Sequence, residues 1–369
     1  MRVAVIGCGA MGAASAWRLK KRGADVVAFD RFSPPHDRGS TLGESRITRT
    51  AYMEGAFYVP LLRESFPLWR ELEAESRTQL LTITGLLTIG PPGSPAIKAT
   101  LATARAQDLE TEVLDASAMR KRFPGHMLGD DEVAVLDPQA GYLLPEKAVE
   151  EMARHVDVRR DTRVTGLHFR DGGVDVATER GTEAFDAAVI AAGAWVREFV
   201  PDLAVSIERQ PMVWLSLQSG ADWFSPERFP VWLREGTPQG DAYGVPSLDG
   251  RSIKVGLHHG GDPTQPDTVN RTVTDRDLDP IRFFVTKYLR GVTRHVARSA
   301  VCMYTNSRDR HFIVDFHPQS SRAVVLSPCS GHGFKFAPVI GDIAADLVLD
   351  GKTARDISRF SISRFAPAP

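Results

Sequence analysis

The chain has 369 residues, 43% of them apolar and 25% charged, with a formal net charge of −1. That length exceeds one ordinary core and predicts about two domains, in the composition range of a soluble globular protein. There is no basic excess to hold a phosphate backbone, so nucleic acid is excluded as the expected partner.

Three cysteines, an odd number, make no disulfide framework and fit a reducing compartment. The opening RVAVIG follows no charged leader, no stretch is long enough to span a bilayer, and the closing APAP (366–369) is no peroxisomal address. The expectation is a cytoplasmic protein with no membrane partner.

RVAVIG (2–7) is a short apolar run, the pattern of a buried parallel strand. A helix follows over AASAWRLKKRG, basic in its last turn and stopped by Gly23. DVVAFD (25–30) is a second buried strand, completing a β-α-β unit. Residues 60–76 read as an amphipathic helix interrupted by Pro67, and LLTITGLLTIG (80–90) as a hairpin. PAIKATLATARAQDLE and PEKAVEEMARH read as helices, and 173–193 as a hairpin followed by a buried strand. Residues 206–310 are rich in strands, aromatics and prolines, and a last helix spans 339–351. This order predicts an α/β protein: a Rossmann-type, doubly wound domain in separated pieces, with an antiparallel-sheet domain inserted.

Gly7, Gly9 and Gly12 form G-x-G-x-x-G between the first strand and helix. Gly7 permits the tight turn, Gly9 lets backbone approach a pyrophosphate, and Gly12 lets the helix pack on the strand. Asp30 ends the second strand, where a carboxylate accepts from ribose hydroxyls and disfavours NADP. The fingerprint leaves NAD and FAD open. DAAVIAAGAW (186–195), a late buried strand ending in small residues and Gly193, points toward a flavin. Read alone, Cys302 is a buried structural thiol, and Lys254 is a lysine that strand alternation turns to solvent.

RVAVIGCGAMG, SPPHDRGSTLGESRITRTAY (33–52), IKVGLHHGG (253–261), QPDTVNR (265–271), AVCMYT (300–305), HFIVD (311–315) and SGHGFKF (330–336) together resemble the monomeric sarcosine oxidase and N-methyltryptophan oxidase family, in order and end to end. The resemblance implies FAD-dependent oxidation of a small secondary amino acid by O2, in a monomer that needs no metal. It implies an FAD-binding domain from 1–45, 140–205 and 320–369, and a substrate domain from 46–139 and 206–319. It further implies a thioether from Cys302 to the flavin. Arg49 and Lys335 would grip the substrate carboxylate, Lys335 also counting among the cofactor's neighbours. Lys254 would promote reaction with O2. His258 and Tyr243 would line the substrate cavity, and Arg46 would lie over the flavin ring. Backbone amides of the Gly331–Gly333 loop would face the reduced flavin's negative edge.

Two positions depart from the family. Thr41 and Leu42 stand where relatives often carry a histidine pair, and Cys329 where they often carry an aromatic. The expected reaction is sarcosine, O2 and water to glycine, formaldehyde and H2O2. The alternatives are another secondary amine (N-methyltryptophan, pipecolate, proline or a glycated amine), a flavin dehydrogenase with a different acceptor, or a non-catalytic NAD-binding protein.

Overall fold

The computed structural model describes residues 1–365; the APAP stretch lies outside the described residues. The opening strand Arg2–Ile6 pairs in parallel with Asp25–Phe29 on one side and Ala187–Ile190 on the other. Val3, Val5, Ala188 and Val189 are fully buried, as continuous apolar runs require in a sheet covered on both faces. Asp157–Arg159 closes one edge, and the Ile313–His317/Ser320–Ser327 hairpin adds the other, giving six strands.

Helices Ala10–Lys21 and Ala337–Asp350 cross in contact over small residues against this sheet. A Cβ on Gly12 would run into the carbonyl oxygen of Gly7, so only glycine lets the first helix sit this close to the turn. The last helix stops at Gly351 in a left-handed cap.

An antiparallel-rich eight-stranded sheet forms the second layer. Its longest pairing sets Val205–Leu217 against Val292–Ser307, which places Cys302 opposite Gln210. Ser252–His258 lies on the other side of Val205–Leu217, with Lys254 opposite Trp214.

Four details differ from the sequence reading. The helix Val59–Ser76 runs through Pro67 without interruption. A proline here forfeits one backbone bond, but Ser65 Oγ and Trp69 Nε1 both donate to the Lys335 carbonyl and hold the turns on either side. Residues 80–90 are not a hairpin. Leu81–Ile83 pairs with Gly141–Leu143, while Leu86–Gly90 joins the large sheet between Val133–Asp137 and Val231–Thr237. The amides of Thr84 and Gly85 both donate to Ala140 O, turning the chain from one sheet to the other.

A helix, Asp275–Tyr288, stands inside the strand-rich region, started by a Thr274–Asp277 capping box. Its apolar Ile281, Phe284, Val285 and Tyr288 follow helical spacing and are buried. Finally, Tyr52, Trp69 and Leu81 share one core with Val3 and Val5, so segment 52–81 packs on the six-stranded sheet's side, which also takes Ile313–His317.

Candidate active site

One cavity runs between the two large sheets. Gly7, Gly9, Asp30 and Gly193 line one end, and Arg46, Arg49, Tyr243, Lys254, His258, Cys302, Gly331, Gly333 and Lys335 line the rest. Gly12 stands behind the turn rather than on the wall.

At the dinucleotide end, Asp30 Oδ2 accepts from Cys8 N–H at 2.8 Å and Oδ1 from Phe32 N–H at 2.9 Å. Oδ2 keeps a lone pair, and His36 Nε2 lies 3.3 Å from Oδ1. The first helix has no side-chain cap and no acid in its first turn, so its free N–H groups suit an anion. Trp195, missed in the sequence reading, donates from Nε1 to Asp267 at 2.8 Å, while Arg31 lies 3.3 Å from both Glu198 and Asp267. The glycine turn, the acid and the uncapped helix fit a dinucleotide.

Cys302 is 4% exposed and packs with Leu42, Met212 and Trp214. Its Sγ lies 3.6 Å from Ser40 O and 4.0 Å from Arg46 Nη2. Burial pushes the Cys8 thiol up to about 12, with Asp30 adding to it, and Cys329 up to about 11. Arg46 donates to the carbonyls of Ser40, Leu42 and Ser45, so its guanidinium organises the loop beneath Cys302.

Lys254 does not point to solvent. It is 3% exposed, and Nζ donates to Gly43 O at 2.8 Å and Ser45 O at 2.9 Å. Burial, then the Arg46 charge, hold its ammonium well below the usual lysine range, against Cys302, Glu146 and Glu44. The receiving loop is held from beneath: Gly43 N–H and Glu44 N–H both donate to Glu146 Oε1, at 2.6 and 3.1 Å.

At the other end Arg49 and Lys335 are 4% and 5% exposed. Asp137 fixes the backbone after Arg49, accepting from Thr50 N–H and Ala51 N–H at 2.7 and 2.9 Å. The Arg49 guanidinium pairs with Glu54, a residue the sequence reading passed over. Burial raises the Glu54 carboxyl, but Arg49, His332 and Lys335 outweigh it and bring it to about 2. Burial, then Arg49, lower Lys335 to about 7, against Glu54. Lys335 Nζ donates to His332 O at 2.7 Å.

His258 is half-buried, 3.3 Å from Tyr304 Oη through Nδ1, with its ring centroid 4.1 Å from that of His259 and tilted against it. Burial, then His259, push it well below the usual imidazole range, so the ring is neutral. Tyr243 stands edge-on to His258. Gly333 is obligatory, because a Cβ there would strike Pro328 O.

The arrangement can hold a dinucleotide along one side and an anion between two buried cations at the end, with a lysine and a thiol on the walls. Among the described residues no cluster could hold a metal, and no helix is long and apolar enough to cross a membrane.

Residues 2–347 match the FAD dependent oxidoreductase family. The chain is 38% identical to the monomeric sarcosine oxidase of Streptomyces avermitilis, over 100% of this chain and 98% of that enzyme. It is 37% identical to the Bacillus sp. enzyme of the same name, over 98% and 95%. It is 34% identical to the N-methyl-L-tryptophan oxidase of Yersinia pestis, over 98% of both. Among solved structures, NikD, an unusual amino acid oxidase essential for nikkomycin biosynthesis, superposes with a TM-score of 0.87 at 26% identity, over 97% of this chain and 96% of that one. The chain belongs to the FAD dependent oxidoreductases, within their monomeric sarcosine oxidase and N-methyltryptophan oxidase group, and is a flavin-dependent amine oxidoreductase.

Proposed function

We propose that this protein oxidises a small secondary amino acid, sarcosine first, with O2 and water to glycine, formaldehyde and H2O2. The observation that carries this reading is the pair of buried cations, Arg49 and Lys335, in one cavity with Lys254 and Cys302. Two desolvated cations suit a carboxylate, with the guanidinium forking onto it and the ammonium adding a point charge. Glu54 holds Arg49 until a substrate carboxylate competes for it. Neutral His258 adds no positive charge beside an amine that must itself be neutral to react. The flavin supplies the two-electron chemistry between amine and O2. Lys254 presents an N–H donor and, when protonated, a positive charge that favours negative charge developing on O2. Gly7, Gly9, Asp30 and Gly193 hold the dinucleotide, with Gly331 and Gly333 at its other end, and Cys302 is the attachment residue. Arg46 Nη2 lies 4.0 Å from its sulfur.

The reading includes a monomer in the cytoplasm, supported by three free cysteines and by the name of the bacterial relatives. It includes two domains, the cofactor side joined by residues 52–81 and 313–319. The test is H2O2 release from sarcosine, N-methyl-L-tryptophan, pipecolate and proline; peroxide from none of them refutes it. One observation favours a bulkier amine as a second reading. A further cavity of about 240 Å³, with Met53, Pro95, Ala99 and Ala242 on its walls, adjoins the first at Leu233 and His258.

A further inference from the structure

Tyr52 is fully buried beneath both carboxylate-binding cations. The Arg49 guanidinium lies 4.7 Å from its ring centroid and Lys335 Nζ 5.2 Å. Its hydroxyl meets His332 Nδ1 at 2.6 Å, His332 O at 3.3 Å and Lys335 Nζ at 3.5 Å. The other ring nitrogen of His332, Nε2, faces the carbonyl oxygen of Arg310 at 3.0 Å.

A carbonyl only accepts, so Nε2 carries the ring hydrogen, and Nδ1 is left as an acceptor. His332 is 5% exposed, and burial holds it to about 4, so the ring is neutral and this tautomer persists at neutral pH. Of the two acceptors in reach, Nδ1 at 2.6 Å is nearer than the His332 carbonyl at 3.3 Å, so the Tyr52 hydroxyl donates to Nδ1. Its lone pairs turn toward Lys335, where they accept.

We infer that Tyr52 and His332 are positioning residues for substrate carboxylate binding: the Arg310 carbonyl sets the His332 tautomer, and that orients the Tyr52 hydroxyl as an acceptor that steadies the Lys335 ammonium beside Arg49. The ring face below both cations offsets their mutual repulsion. The inference rests on the carboxylate-site reading above. The charged and titratable groups facing Lys335 are Arg49, Glu54 and Tyr52 from segment 49–54 and His332 from its own loop, while His258 from the strand Ser252–His258 faces Glu54, Arg49 and His332. Ser65 and Trp69 on the helix Val59–Ser76 hold only its backbone carbonyl.

The test is calorimetric titration of the holoenzyme with acetate across pH 6 to 9, which reads carboxylate binding whatever amine is turned over. Tyr52→Phe keeps the ring and loses the acceptor. It should weaken acetate binding about threefold to tenfold, the value of one modest hydrogen bond. It should also move the alkaline loss of binding to lower pH. His332→Leu frees the hydroxyl to compete for the residue-332 carbonyl and should shift the alkaline limb the same way. In a Lys335→Met background Tyr52→Phe should add nothing. If Lys335→Met weakens binding but Tyr52→Phe and His332→Leu bind acetate as the wild type does, or if the Tyr52→Phe loss persists in full without Lys335, the inference falls alone. If the wild type binds no acetate, or Lys335→Met binds it equally well, the carboxylate site falls and the inference with it.

Discussion

Replacing Lys254 with methionine separates the two halves of the proposed reaction. The side chain is buried, and two of its three N–H groups are engaged by Gly43 O and Ser45 O, leaving one free. When Lys254 is protonated, its unit charge about 4 Å from a forming anion contributes roughly 4 kcal/mol at an effective dielectric near 20. Removing one preorganised donor from such a site slows the assisted step by about 10²–10³-fold. The reduced Lys254→Met protein should therefore react with O2 about 10²–10³-fold more slowly. Anaerobic reduction by substrate should change by less than about threefold. The substitution leaves two carbonyls without their donor, at about 1–3 kcal/mol of stability, so the thermal midpoint is measured alongside. Stopped-flow absorbance of each half-reaction reads the outcome. Equal slowing of both halves, or unchanged reaction with O2, refutes the role given to Lys254.

Three other outcomes are expected. Cys302→Ser should give up its flavin to the supernatant on acid precipitation while wild-type protein keeps a yellow pellet; a colourless wild-type pellet contradicts the attachment. Glu54→Gln removes the internal competitor of Arg49 and should tighten acetate binding, by up to about tenfold; unchanged or weaker binding argues against the exchange of partners. Lys335 is lowered to about 7, so its ammonium is present below that pH and lost above it. KM for carboxylate substrates should rise as pH climbs through about 7, and the rise should vanish in Lys335→Met. Because the unfolded lysine keeps its proton to higher pH, burying Lys335 costs stability below about pH 7, and that cost eases as pH rises.

The dinucleotide end was legible because its signals are local. Strand, glycines, helix and acid fall within residues 2–30, and Gly12 answers to the Gly7 carbonyl five residues before it. Lys254 was ambiguous on its own strand. Alternation permits either face, and only the loop at 43–45, brought from more than 200 residues away, makes it buried and paired. Glu54 was in plain view five residues after Arg49, but its pairing depends on how the loop folds back, which spacing alone does not state. The link from Tyr52 to His332 joins positions 280 apart and has no sequence signature. The helix Asp275–Tyr288 did carry one, the Thr274–Asp277 capping box. It was masked by the aromatic, strand-like residues around it and by Pro280. Residues 80–90 misled because two short strands in adjacent sheets share the sequence pattern of a hairpin; partner choice is a long-range property.

The most direct measurement is anaerobic addition of sarcosine to the purified protein while its visible flavin absorbance is followed. The account predicts bleaching that saturates with sarcosine, recovery with H2O2 formation when air is admitted, and bleaching at far higher sarcosine concentrations in Lys335→Met. Absorbance unmoved by sarcosine and by every other secondary amino acid tested contradicts it.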